Sequence, residues 1–276
     1  MFFYIITTKI KKKMKLTVNI GLPTGWQHLN QKQLEYCLWL VSTGLPRDEI
    51  AVYALNSLGS TLITDENGTL VNKADIPDKE RDGIVQQIEE QVAALLPHLK
   101  WLFDIPDTPV RLEHVRINGT ICRARYDALM EELPLERYFV LDNLWQGYIH
   151  TRRDDLLDTM EQELYTAVRA KDYTDPRLPT EDIQVRRMNT LLWWSSVKRK
   201  LAGAFPRLFV QTPAQDDTDQ PAAPPTQHEL QRNIDTMLLI LTAGDLSKEP
   251  AVLHTPVWRA MAYLAYKAEK AAPEND

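Results

Sequence analysis

The sequence predicts a mainly α-helical protein: a multi-helix body with a small β-hairpin, followed by a linker-tethered C-terminal pair of helices. Three observations predict it. Apolar residues recur at helical spacing over much of the chain, with Leu34, Cys37, Leu38 and Val41 as the first instance. Capping residues stand where such runs begin, and glycines where several of them end. Glycine is otherwise scarce, at 10 of 276 residues, against roughly 7% in average proteins. None of it clusters into a loop that could cradle a phosphate. The hydrophobic fraction is 44% and the charged fraction 25%, which fits a soluble globular protein and excludes global disorder or a collagen-like repeat.

The apolar stretch Met1–Ile6 is followed by Lys9, Lys11, Lys12 and Lys13. A secretory signal has the opposite order, and this apolar run is too short to span a bilayer. Met14 opens a stretch that reads like an ordinary start, so residues 1–13 are expected to be an extension or a start-site over-call. The body is expected over residues 14–210. Lys15–Ile20 alternates weakly, as a short strand would. Asn30 and Gln33 form a capping-box pair at the start of the first helix, and Gly44 stops it. Pro46 suits the first turn of the next helix, which carries Ile50, Tyr53, Ala54 and Leu58. Spacing this regular marks the two helices as an αα-hairpin scaffold.

Asp65–Gly68 is turn-like, and a third helix is expected from Pro77 to Leu96 with Ile84, Ile88, Val92 and Leu95 on one face. Within Val110–Ile121, Asn118-Gly119 between branched residues signals a β-hairpin. Helical pattern then dominates from Leu135 to Phe205. One segment ends near His150 and another spans about Arg153–Val168, before Asp175–Pro179 breaks the chain. Thr180 is the expected N-cap of the next helix, with Glu181 and Asp182 in its first turn. Lys198, Arg199 and Lys200 fall in its last turns, where the helix dipole favours cations.

Residues 211–227 carry four prolines and three aspartates with no aromatic or basic residue, the composition of an extended, solvated linker. The C-terminal tail is expected over residues 228–272. Thr226 and Glu229 make a second capping box, and Leu230, Ile234, Met237, Leu238 and Leu241 line a helix that ends at Gly244. Thr255-Pro256 opens a last helix with Trp258, Met261, Ala262, Leu264 and Ala265. Two helices this short cannot bury both apolar faces alone. They must dock on the body, on another copy or on a partner.

The usual handles of catalysis are missing. There is no GxGxxG, no GxxxxGK[ST] and no GxSxG. The six histidines are scattered, and Cys37 and Cys122 stand far apart without metal-ligand spacing. No catalytic residue, metal ligand or cofactor is expected. Asp154, Asp155 and Asp158 form a DDxxD that resembles the diphosphate-binding motif of isoprenyl diphosphate synthases, whose carboxylates hold Mg²⁺. No second acidic motif follows it, and Arg152 and Arg153 precede it where that family places arginines after it. Acidic residues at a helix start also have a simple dipole explanation. A Mg²⁺-dependent helical diphosphate enzyme is therefore the alternative rather than the main expectation.

The segment from Ile183 to Arg207 contains Arg186, Arg187, Lys198, Arg199, Lys200 and Arg207, no acidic residue, and the pair Trp193-Trp194. Such a segment could grip nucleic-acid phosphates while stacking bases. It could equally lie on a membrane surface, dock a protein partner around a Trp anchor, or simply be a core helix with a basic end. A net charge of −6 and a pI near 5.6 weigh against nucleic acid, which the rest of the chain would repel. Trp193, Trp194, Lys198, Arg199 and Lys200, with Trp258 and Arg259 of the tail, are the candidate partner contacts.

Two stretches carry a family resemblance. Leu22-Pro-Thr-Gly-Trp26-Gln-His-Leu-Asn30-Gln-Lys-Gln-Leu34 with its two following helices, and the end from Arg232 through Gly244-Asp-Leu-Ser-Lys248 to Trp258-Arg259, resemble uncharacterised bacterial prophage proteins of the tail and assembly gene region. The resemblance spans about a quarter of the chain and brings no catalytic residues with it. It implies a non-enzymatic, tail-assembly-chaperone-like role. That role would be carried by helix-mediated contacts with another assembly component or a second copy, in the host cytoplasm or on the virion.

Overall fold

The computed structural model describes residues 8–9, 17–64, 94–209 and 226–271. They are mainly helical, with two three-stranded antiparallel sheets, and the chain divides between Pro106 and Asp107 into two units. The body expected over residues 14–210 spans this division.

In the first unit β1 (Thr8–Lys9), β2 (Thr17–Gly21) and β3 (Ser60–Thr64) pair in that order. Between β2 and β3 lie α1 (Gln31–Ser42) and α2 (Arg47–Leu58). The capping box at Asn30 is formed: its side chain accepts from the Gln33 amide, and the Gln33 side chain accepts from the Asn30 amide, both at 3.0 Å. Gly44 takes a φ of +71°, a left-handed turn that releases the chain from α1. Leu34, Cys37, Leu38 and Leu40 of α1 pack with Ile50, Ala51, Ala54, Leu55 and Leu58 of α2 in the buried core. Tyr53, expected on that face, is exposed, because Ala51 and Leu55 fill its share of the interface. Trp26 ties the approach to α1 onto the 3₁₀ segment Leu96–Phe103, its indole N–H donating to the carbonyls of Trp101 and Asp104. The turn expected at 65–68 and nearly all of the helix expected from Pro77 lie outside the described residues; Leu95 is buried.

The second unit opens on the hairpin of β4 (His114–Ile117) and β5 (Thr120–Ala124). Asn118 and Gly119 both have positive φ, +49° and +78°, as a tight type I′ connection requires. A third strand, β6 (Tyr165–Ala167), pairs with β5 where the sequence pattern predicts helix through Val168. Hydrogen bonds from Arg125 N to Leu164 O and from Val168 N to Ile121 O, both 2.8 Å, bracket that pairing and end the helix at Leu164. The helices are α3 (Leu135–Thr151), α4 (Asp154–Leu164) and α5 (Ile183–Ala204). Asp182, not Thr180, caps α5, its carboxylate accepting from the amides of Gln184 and Val185. The Thr180 carbonyl instead accepts from Arg116 N of the hairpin at 2.8 Å, which holds Thr180 outside the helix.

A closed ring of hydrogen bonds fixes α5 on the sheet. Leu112 N donates to Asn189 Oδ1 at 2.8 Å, Asn189 Nδ2 donates to the Tyr165 hydroxyl at 2.9 Å, and that hydroxyl donates to Leu112 O at 2.8 Å. All three residues are buried. Replacing Tyr165 with Phe removes the one group that both gives and takes in this ring. It leaves the Leu112 carbonyl and an Asn189 N–H without a partner, and chemical denaturation should show a loss of about 1–3 kcal/mol.

The C-terminal segment forms α6 (Gln227–Thr242), α7 (Glu249–Leu253) and α8 (Val257–Ala271). The Thr226–Glu229 capping box is present, and Ala243 and Gly244 end α6 with left-handed φ angles. Of the three docking options, the structure shows the first: these helices belong to the same unit as residues 107–209. Val257 N donates to Leu133 O at 2.8 Å and Leu135 N donates to Thr255 O at 2.9 Å. Val257, Ala260, Met261 and Leu264 are buried, whereas Ala262, expected on the apolar face, is exposed. Ending the chain at Gln211 should therefore unfold the second unit rather than leave an intact body. Thermal melting followed by circular dichroism should show a lower, broader transition, with dye binding to newly exposed apolar surface.

Candidate functional site

Seven side chains were expected to contact a partner, and the structure separates them into two groups. Trp193 and Trp194 are fully buried. The Trp193 indole N–H donates to Ala128 O at 2.8 Å, and its ring meets Tyr165 edge-on with centroids 6.1 Å apart. Trp194 packs on Tyr138 at 5.7 Å. Both are core residues, and the expectation that they face a partner is corrected on that ground. Consecutive residues on a helix differ by about 100° in direction, so burying both requires α5 to be covered on a broad face. Asn189, Thr190 and Ser196 are buried beside them.

Lys198 is also turned inward. Its ammonium lies 2.5 Å from Asp142 Oδ1 and 3.3 Å from the Tyr138 hydroxyl. Burial alone would lower the Lys198 pKa, but Tyr138 and Asp142 together outweigh it and hold the value above the ordinary range. Burial pushes the Tyr138 hydroxyl up to about 12.

The other four candidates converge. Arg199 and Lys200, near the end of α5, line a groove of about 920 Å³ with Trp258 and Arg259 at the start of α8. Leu129 and Pro256 are among its apolar walls, and Asp107, Glu131 and Glu132 supply carboxylates. The Trp258 indole is aimed by its N–H donating to Leu129 O at 3.0 Å and by the Phe205 ring at 6.0 Å. Arg199 reaches Asp107 at 3.5 Å. Lys200 and Arg259 are exposed and carry no ion pair among the described residues. At Gly203 a Cβ would meet no atom within 4 Å, so the groove is open along that side of α5. The three acidic residues gave no sequence signal, since only the fold brings them to this wall.

The DDxxD carboxylates are occupied by arginine. Arg187 of α5 binds Asp158 through Nε and Nη2, both at 2.7 Å, and reaches Asp154 through Nη1 at 2.8 Å. Arg153 binds Asp155 in the same two-pronged way, at 3.1 and 2.6 Å. The hydrogen bond that Arg153 donates lowers the Asp155 pKa, and the bonds that Arg187 donates to Asp158 raise the pKa of Arg187. Among the described residues no three His, Cys, Asp or Glu side chains are grouped so as to hold a metal ion. Both cysteines are buried, and desolvation raises their thiols, Cys37 to about 12, which makes them poor nucleophiles.

Arg186 completes the run of internal pairs, donating to Glu161 Oε2 at 2.8 Å with both side chains almost fully buried. Glu161 Oε1 and Arg186 Nε have no hydrogen-bond partner among the described residues. Desolvation outweighs the attraction of Arg186 and pushes Glu161 up from 4.5 to about 7, with Asp158 repelling in the same direction and Arg187 opposing. No helix among the described residues is long and apolar enough to cross a membrane. Comparison with known protein families, with curated proteins and with solved structures finds no match to this chain.

The Glu161 shift predicts a pH dependence of known sign. A carboxyl whose pKa is higher in the folded state binds more protons there than in the unfolded chain. Its contribution is therefore complete below about 4.5 and is lost as pH rises through about 7. Relative to Glu161→Gln, which does not titrate, the wild type should lose on the order of 3 kcal/mol between pH 4.5 and 8. Urea unfolding of both proteins across that range measures it; a constant difference would mean that Glu161 stays ionised throughout.

Proposed function

We propose that this chain is a non-enzymatic assembly protein of a phage or related element, acting through protein–protein contacts at the groove between the end of α5 and the start of α8. The observation that carries the reading is convergence. Arg199, Lys200, Trp258 and Arg259 come from helices separated by a long proline- and aspartate-rich stretch, and they line one groove. Tryptophan and arginine are the residue types that dominate binding energy at interfaces. Cations beside Glu131 and Glu132 would fix the orientation of a docked partner. The resemblance read from the sequence of the two chain ends would give the reading its context, with the host cytoplasm or the virion as its place.

The two alternatives have less support. Arg187 and Arg153 already engage the carboxylates that Mg²⁺ would need. The segment 183–207 has buried its tryptophans and paired Arg186, Arg187 and Lys198 internally, which removes most of what would hold nucleic acid.

The test uses two full-length variants: Gly203→Trp to obstruct the groove, and Lys200→Glu with Arg259→Glu to invert its free cations. Purified from host cells and compared by quantitative mass spectrometry, the wild type should retain at least one protein that both variants lose by about tenfold or more. Their melting temperatures should match the wild type. Identical retention by all three would overturn the groove as the docking site. Calorimetric Mg²⁺ binding that disappears when Asp154, Asp155 and Asp158 are replaced by Asn would favour the enzyme instead.

A further inference from the structure

A second cavity, of about 720 Å³, lies between α6 and the surfaces of α3, α8 and the end of α5. Its floor is buried: Phe139 of α3 and Met261 and Leu264 of α8. Its roof is the apolar stripe of α6, where Leu230, Ile234 and Met237 remain only half-buried. α6 thus spans a space that its own side chains do not fill. The volume falls within the roughly 300–1,000 Å³ of pockets that hold small organic ligands. Two methionines in the lining can adjust to the shape of a flexible apolar guest.

The polar part of the lining is sparse and biased toward positive charge. Lys198 and Lys267 face a single carboxylate, Asp142. Lys198 has three N–H donors and two protein acceptors, Asp142 and Tyr138, so one donor remains for a guest. Lys267 carries no ion pair among the described residues; its ammonium lies 5.4 Å from the Tyr263 ring centroid. With Asp142 matched to Lys198, the wall keeps one uncompensated cation.

One other occupant fits less well. Residues 210–225, adjacent in sequence, offer Val210, three alanines, four prolines and three aspartates. That composition lacks the apolar bulk that this lining matches.

We propose that this cavity binds an anionic amphiphile: a linear alkyl chain lying against Phe139, Ile234, Met237, Met261 and Leu264, with one carboxylate taken by the lysines at 198 and 267. The site is distinct from the α5–α8 groove and does not depend on its function. The probe is cis-parinaric acid, whose fluorescence rises when its chain is buried, titrated into the full chain. Saturable enhancement at one molecule per chain is expected, and dodecanoate should displace the probe at least tenfold better than dodecanol. Ala268→Trp, which fills the rim from α8, should weaken binding at least tenfold with no loss of melting temperature. Met237→Trp gives the same test from α6 if the first variant does not fold, and Lys267→Glu should reduce the preference for dodecanoate. Absent saturation, equal displacement by dodecanol, or unchanged affinity in a folded cavity-filling variant would overturn the proposal. Loss of probe on self-association at raised protein concentration would assign the cavity to a second copy and overturn it as well.

Discussion

The hydrogen-bonded ring of Leu112, Tyr165 and Asn189 is the constraint on which the second unit depends. It joins the residue ahead of the hairpin, the first residue of β6 and the middle of α5, with the donors and acceptors it uses matched inside a buried site. Buried polar groups are costly when unmatched and specific when matched. The ring therefore fixes more than attraction: it sets the register of α5 against the sheet to within one residue. From there Trp193 reaches Ala128 O, Arg186 meets Glu161, and Arg187 closes on Asp158. A rotation of α5 by one position would break all of these together.

That register explains where the charge of α5 goes. Its basic residues look like a polyanion site only while the helix is considered alone. In the fold the first turns spend their cations on α4, and Lys198 spends its own on Asp142. Arginine suits this work because its planar fork can grip one carboxylate with two donors and a second with a third, as Arg187 does. The Glu161–Arg186 pair is the expensive member of the set. It is buried with one oxygen and one nitrogen unmatched among the described residues, so desolvation competes with the attraction it buries.

What could be seen in the sequence was local. The Asn30 and Thr226 capping boxes, the Asn118-Gly119 turn and the stop at Gly44 each involve residues within a few positions, and each formed. The elements that could not be seen are held by distant partners. Tyr165–Ala167 has a helical pattern up to its edge and becomes a strand because β5 offers it backbone bonds. Thr180 is a good N-cap by type and loses the position to Asp182 because Arg116 takes its carbonyl. The candidate site divides on the same principle. Trp193 and Trp194 stand among the candidate partner contacts because nothing in the local pattern shows that α5 is covered on so broad a face; of the readings the sequence leaves open, the fold takes the core helix. Trp258 and Arg259 stand with Arg199 and Lys200 by residue type alone, and the fold supplies the groove that unites them. The basic partner of the DDxxD carboxylates illustrates the limit: Arg187 lies in another helix, beyond a break in the chain, and no spacing rule connects it to Asp154 and Asp158.

The geometry of the α5–α8 groove bears on how strongly it could hold anything. One wall is the end of α5, whose direction is set about three turns earlier by Asn189. The other is the start of α8, fixed by the Leu133–Val257 and Thr255–Leu135 backbone bonds and by the indole bond of Trp258 to Leu129. Both walls therefore sit on hydrogen-bonded backbone, and a partner would meet a surface already in shape, with little ordering entropy left to overcome. Lys200, near the end of α5, and Arg259, in the first turn of α8, carry no ion pair among the described residues, whereas Arg186, Arg187 and Lys198 are paired within the fold. A cation paired internally offers a partner only the donors its pair leaves over; these two offer all of theirs. Rigid walls bearing uncommitted charge and a positioned tryptophan make this groove, rather than the basic run as a whole, the place where a partner would gain most from contact.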